Sequence, residues 1–376
     1  MRKDNRHAEA SLASVIIIAL FLFVSNLQKC CAQIDSVIYN LQDFDYLTAY
    51  TEANYAAYPS IIEHGHTADY QSLKEDVTDS IMSGAWGIEQ AVSEYAYWFS
   101  HNFDAHYYAD LPYFWHVCKK RDIPDYAHIM DYHPQPVSKK IGKKTWLIRV
   151  PSCEGEHPTN AWLAESVIMF LSSKCKNLVL DIRGNSGGSD LIWEPMLPLM
   201  VDHQARFSEQ YFFRNTYHNR FHPEMPEWMK ERLANVKDGK PFESWDEEDD
   251  EEEDIPLHDA EIHVAIIIDK KTASAAETIL RIARRYSDNK RVTIYGKENS
   301  AGCAATGNIL PFRLPHSRIQ VFYPTTVSSA FLQVKMLSAS GIEPDVRIEL
   351  PYPSQLTDNT DSWVLWVSKD MEKKRD

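Results

Sequence analysis

The rhythm of apolar positions along this chain changes near residue 145. Upstream, over 37–108, apolar residues recur at helical spacing. Segments 72–82 and 88–99 read as amphipathic helices, and nothing there alternates like a strand. Segment 111–140 holds Pro112, Pro124, Pro134 and Pro136 among aromatics and reads as an irregular connector. Downstream, unbroken Val/Ile/Leu runs alternate with helical patterns. The runs at 145–150, 177–182, 263–269 and 291–296 read as strands, the longest of them buried on both faces. Segments 160–174 (capped by Thr159 or Asn160), 190–201, 223–236 and 273–285 read as helices. A further strand is expected at 207–216. Segments 309–314 and 318–323 flank Pro315-His316-Ser317 as a hairpin, and 346–350 is a last strand before a short helix beyond Asp358. Strands alternating with helices imply an α/β fold with a parallel sheet and right-handed crossovers, preceded by a small helical domain.

Composition sharpens this picture. The 376 residues suit about two to three domains. The net charge of -15 argues against nucleic acid as a partner, since phosphates call for Lys and Arg. Much of the excess lies in the run from Asp246 to Asp254, which reads as a solvated acidic loop over 237–254. Residues 1–32 read as an export signal. Arg2, Lys3 and Arg6 precede an apolar stretch at 15–24 that is short for a membrane span, and Cys30-Cys31-Ala32 offers a cleavage site before Gln33. The competing readings are a lipoprotein signal with an anchor at Cys30 or Cys31 and, third, a retained membrane anchor. The chain is thus expected to be secreted or periplasmic, with no stable span after cleavage. It divides into 33–140 (helical domain with connector), 141–352 (α/β core) and 353–376 (tail). Cys118, Cys153, Cys175 and Cys303 remain after cleavage. They allow three disulfide connectivities or four buried thiols, and none has zinc-site spacing. No cofactor or metal is implied, and His64 and His66 lack a third ligand.

Candidate chemistry gathers where strands run into turns. Arg183-Gly184-Asn185-Ser186-Gly187-Gly188 follows a buried strand. Its three glycines let the backbone take positive φ and approach a ligand. It lacks the Lys-Ser/Thr of a phosphate loop and the spacing of a dinucleotide fingerprint. Ser274 stands at the next strand-to-helix turn. Ser274-Ala275-Ala276-Glu277 fits a capping box, in which the serine bonds the third N–H and the glutamate reaches back. The same serine, exposed beside a base and facing oxyanion donors, is a nucleophile. His106, close to Asp104, reads as a structural histidine or a base.

Together these stretches resemble the C-terminal-processing (tail-specific) serine peptidase family, in its secreted branch without a PDZ domain. Segment 177–188 resembles the family's strand followed by Asp-x-Arg-Gly-Asn-x-Gly-Gly, and Thr272 to Glu277 resembles the nucleophile motif. Gly296 to Gly302 resembles the Gly-x-x-Thr-x-Gly loop, with Ser300 for Thr and one extra residue. Gly341-Ile342-Glu343-Pro344-Asp345 and Asp104-Ala105-His106 resemble two further elements, in family order. The resemblance implies a ClpP/crotonase-like core, Ser274 as nucleophile, and backbone N–H groups of Gly187, Gly188 and Ala275 as oxyanion donors. It also implies a peptide or protein substrate; oligomeric state is left open. The chain departs from the family at the base. Where a lysine is expected the alignment offers Cys303, with Lys297 on the wrong side of the loop, and Ser338 replaces an expected carboxylate. Tricorn-type relatives pair serine with histidine and glutamate, which makes His106 the candidate base, with Asp104 or Glu298 to orient it. The alternative is a non-catalytic peptide- or lipid-binding relative, because interphotoreceptor retinoid-binding proteins share the fold.

Overall fold

The computed structural model describes residues 34–122, 133–154, 158–201, 205–206, 211–234, 240–244, 254–255, 257–258, 261–287, 291–303, 305–328, 341–353 and 360–373. The segment 1–32 expected to be an export signal, the acidic residues 246–253 and Ser338 lie outside these.

The central sheet has six strands. In chain order its members are β2 (Val137–Lys140), β3 (Thr145–Arg149), β4 (Asn177–Asp181), β7 (His263–Ile268), β8 (Val292–Gly296) and β11 (Val346–Arg347). Their spatial order is β11-β8-β7-β4-β3-β2, parallel except for β2, which pairs antiparallel with β3 at the edge. Register is continuous across the middle: Leu178 lies beside Trp146 and Val264. Because side chains alternate faces, the unbroken apolar runs feed two cores at once. Ile148, Leu178, Leu180, Ile266 and Ile294 point to one face. There they meet α5 (Asn160–Ser172) and α6 (Ala275–Tyr286) through Leu163, Phe170, Ile279 and Leu280. Leu147, Val179, Ala265 and Ile267 point to the other, which α7 (Ser362–Lys373) covers with Trp363, Val364 and Val367. The parallel strands step in one direction, so right-handed crossovers put α5 and α6 on the same face and leave the opposite face to the C-terminal helix.

The N-terminal segment folds as α1 (34–54), α2 (Thr67–Met82), α3 (Ile88–Asn102) and α4 (Pro112–Asp122). These helices share one apolar cluster with an antiparallel sheet. That sheet is built of β1 (Tyr108–Ala109), β5 (Tyr211–Arg214), β6 (Phe242–Ser244), β9 (Thr306–Arg313) and β10 (Gln320–Ser328). Tyr50 on α1 stacks on Phe312 at 4.1 Å between ring centres. Asp43 on α1 accepts the N–H groups of His316 and Ser317 at the tip of the β9–β10 hairpin, at 2.8 and 2.7 Å.

Two sequence expectations need correction. The connector at 111–140 is not irregular at its start: Pro112 opens α4, where its missing N–H costs nothing, and 137–140 form β2. Residues 123–132 are outside the described set. The helix expected at 190–201 is a 3-10 turn over Asp190–Met196 followed by a single α-turn at Leu197–Met200, because Pro195 and Pro198 withhold the N–H groups a longer α-helix would use. Thr159 caps α5 as expected, accepting from Trp162 N–H at 3.1 Å. The four described cysteines are free thiols. No described helix is long and apolar enough to cross a membrane.

Candidate active site

Strand β7 is buried along its length and ends at Ile268, and the chain then turns sharply into α6. Ser274 sits at that turn with φ 54° and ψ -125°, a left-handed backbone that costs a non-glycine residue about 1–3 kcal/mol. Its side chain makes no capping bond. The capping-box reading is therefore overturned. The Ser274 N–H donates to Cys303 Sγ at 3.2 Å, so nothing is left for Glu277 to reach back to. Glu277 is buried and turns instead to the loop after β8. There it accepts the Ser300 hydroxyl and the Gly302 and Cys303 N–H groups, the latter two at 2.8 Å. Burial pushes the Cys303 thiol well up, and the charges of Glu277 and Asp104 add to this, so Cys303 is a neutral acceptor beside the serine. Lys297 stands over the Tyr352 ring, 5.2 Å from its centre.

The glycine turn after β4 is tied to this serine turn. The buried Asp269 carboxylate accepts the N–H groups of Gly184, Lys271 and Thr272 at 3.0 to 3.1 Å. Ala273 N–H donates to Asn185 O at 3.0 Å. A Cβ on Gly187, whose φ is +102°, would lie 2.6 Å from Ser274 Cβ and 3.1 Å from Ala275 N, so the two turns touch at the serine. The three expected oxyanion donors are not equivalent. Gly187 N–H is taken by Asn185 Oδ1 at 2.8 Å. Gly188 bridges Cys153 through its neighbours' hydrogen bonds, which leaves its own N–H pointing away from Cys153. Gly188 N–H and Ala275 N–H have no acceptor among the described residues. Ala275 opens α6, so the helix dipole adds positive potential there. Gly187→Ala is expected to displace the serine and cut its reaction with an active-site probe by about 10²-fold, the scale of a misplacement of about 1 Å at a reacting group. Labelling rate and melting temperature, measured together, check this.

His106 comes from the segment that follows α3. Asp104, 1 % exposed, gathers it: the carboxylate accepts His106 N–H at 3.0 Å, the Thr306 hydroxyl at 2.8 Å and the Tyr55 hydroxyl at 2.8 Å. Thr306 spends its proton on Asp104, so its lone pair takes a proton from His106 Nδ1, 2.9 Å away. This chain of donors assigns the Nδ1–H tautomer and leaves the Nε2 lone pair open. Between the two carboxylates the sequence left open, Asp104 is the one that meets the histidine. His106 lines a cavity of about 630 Å³ together with Ala273, Gly184, Ser186, Ala301 and Cys303. Ser274, next to Ala273, is half-exposed. Thr306, Tyr55, Asp269 and Asn185 were missed by sequence reasoning. Asp269 stands at a strand end and could have been suspected; Thr306 meets a histidine 200 positions away and left no local signal.

This geometry can be set beside known proteins. A presumed peptidase from Parabacteroides merdae ATCC 43184 aligns over 89% of this chain and 96% of its own, with 14% identity and a TM-score of 0.54. A lipoprotein from Streptococcus agalactiae aligns over 91% and 97%, with 15% identity and a TM-score of 0.43. A presumed S41 protease from Bacteroides fragilis NCTC 9343 aligns over 65% and 60%, with 16% identity and a TM-score of 0.40. At 14% identity the first of these is a likeness of fold. No curated protein matches. The family model for peptidase family S41 matches residues 144–348, which hold both the glycine turn and the serine turn, and the chain belongs to that family.

Proposed function

We propose that this chain is a serine endopeptidase that cleaves peptide bonds through an acyl-enzyme on Ser274. The observation that carries the reading is the uncapped Ser274, held in a strained turn beside a cavity whose histidine keeps its Nε2 lone pair open. Ser274 Oγ attacks the substrate carbonyl as its proton passes to His106 Nε2. The Thr306 and Asp104 relay keeps the other ring nitrogen protonated and stabilises the imidazolium. The carbonyl oxygen, now negative, takes hydrogen bonds from Gly188 and Ala275 N–H. His106 returns its proton to the leaving amine, and water repeats the sequence to release the acyl group. Neutral Cys303 fills the place of the family's lysine and accepts the serine's N–H, so the proton has no lysine to go to there.

A fluorophosphonate probe tests this directly. The wild-type protein is expected to be labelled covalently on one peptide containing Ser274, and Ser274→Ala is expected to take no label. An unlabelled, correctly folded wild type would overturn the catalytic reading in favour of a binding protein of the same fold.

A further inference from the structure

Lysines collect at the end of the central sheet that lies away from Ser274. The parallel strands β3, β4 and β7 start there and run toward the glycine and serine turns, so the length of a strand, about 17 Å, separates the two ends. Lys140 closes β2, Lys143 and Lys144 form the turn into β3, and Lys174 and Lys176 stand between α5 and β4. Backbone bonds draw these segments together: Lys144 O accepts the N–H groups of Lys176 and Asn177, both at 3.0 Å. All of these lysines are exposed. Lys176 pairs with exposed Glu261 at 3.1 Å, a contact that water and salt screen. Glu372, also beside the turn, accepts the Thr145 hydroxyl at 3.0 Å and Lys144 N–H at 3.4 Å. The Nζ atoms of Lys140, Lys143, Lys144 and Lys174 meet no carboxylate among the described residues. Edge strands commonly carry lysine to block strand addition, which accounts for Lys140 on β2. It does not account for Lys143, Lys144 and Lys174, which lie off the strand.

The same end exposes apolar side chains. The last turns of α5 bury Val167 and Phe170 but leave Ile168 62 % and Met169 50 % exposed. Lys174 follows directly on the end of this helix. Lys140 shares a face with Trp146, its cross-strand partner, and Trp146 packs in the core under α5. Lys140 therefore flanks α5 on the strand side, and Lys174 closes its end. Glu165, one turn before Met169, is the carboxylate of this helix. Apolar side chains bordered by lysines fit the surface of an anionic bilayer. Its phosphates meet the ammonium groups, and apolar tips enter the boundary with the acyl chains. We infer that this end of the sheet docks on an anionic phospholipid bilayer, with Lys143, Lys144 and Lys174 on headgroup phosphates and Ile168 and Met169 entering between them. The chain as a whole carries a net charge of -15, so the same bilayer repels the rest of it and only the lysine end approaches. The glycine and serine turns, at the other end of the strands, then face away from the bilayer. The docking stands without the peptidase reading.

Cosedimentation of the full chain with extruded vesicles tests this. Vesicles of phosphatidylcholine alone report what the apolar stretch 15–24 contributes, and adding phosphatidylglycerol reports charge. Partitioning is expected to rise about tenfold with phosphatidylglycerol and to fall back as salt rises from about 0.05 to about 0.5 M. Lys143→Gln/Lys144→Gln is expected to remove most of the gain. Lys230→Gln/Lys240→Gln, an equal change of charge elsewhere, is expected to leave it. Ile168→Ser/Met169→Ser should lower partitioning on the phosphatidylglycerol vesicles without changing its salt dependence. All of these positions are exposed, so melting temperatures should match the wild type. No gain with phosphatidylglycerol, or a gain lost equally in both lysine pairs, would overturn the inference. So would binding to poly-glutamate with none to the vesicles, which would replace the bilayer with an acidic protein partner.

Discussion

Alanine in place of His106 is expected to slow labelling of Ser274 by about 10²–10⁴-fold, the usual contribution of a positioned general base. The argument turns on the histidine's two nitrogens. Nδ1–H is consumed by Thr306, whose own proton goes to Asp104. Asp104 is itself saturated by Tyr55 and the His106 backbone, so it cannot rotate away. The ring is thus delivered in one tautomer, with Nε2 as the acceptor. Thr306→Val keeps the shape but breaks the relay, and should give a smaller fall than His106→Ala. The second-order rate constant for fluorophosphonate labelling, measured on both variants, checks the order. If His106→Ala labels at the wild-type rate, the proton goes elsewhere. If Thr306→Val is as slow as His106→Ala, the tautomer matters as much as the base.

Replacing Asp181 with alanine is expected to cost about 3–5 kcal/mol, a large share of the roughly 5–15 kcal/mol that holds a domain together. Asp181 ends β4 and is fully buried between Arg149 and Arg183. Arg183 Nε lies 2.9 Å from one carboxylate oxygen, and Arg183 Nη2 bridges the other at 2.6 Å to Asp361 at 2.7 Å. Asp361 in turn caps α7 through Trp363 N–H at 2.9 Å. Losing Asp181 removes the carboxylate that both buried guanidinium groups share. It also loosens Arg183, the first residue of the glycine turn, so labelling should fall with stability. The pH dependence has a definite sign. Burial by itself would raise the Asp181 carboxyl, but Arg149 and Arg183 outweigh it and hold the group below its ordinary value. A carboxylate lowered in the folded state stabilises above its unfolded value, about 4, and that contribution is lost as pH falls through the folded value. Urea denaturation at about pH 7 and about pH 3 should therefore show wild type losing more stability on acidification than Asp181→Ala. Equal losses would remove Asp181 from the acid response.

The strands of the central sheet were legible because a strand buried on both faces must be apolar at every position. The runs at 145–150, 177–182 and 263–269 carry that requirement in their composition. The turns after them were legible as well, since glycine is what a chain uses at positive φ, and Gly184, Gly187 and Gly188 all adopt it. The order of these motifs pointed to the family before any geometry was known. What Ser274 does with its side chain was not legible. Local spacing favoured a capping box. The fold gives the N–H of Ser274 to Cys303 and the carboxylate of Glu277 to residues 300–303, because loop 300–303 packs against both of them. The proline-rich 111–140 misled for a related reason, since a proline that breaks a helix inside opens one at its first position. The Asp104–Thr306–His106 relay joins residues from distant parts of the chain. A single threonine carries no pattern that predicts its partner; only packing the helical segment against the β9–β10 hairpin brings them together.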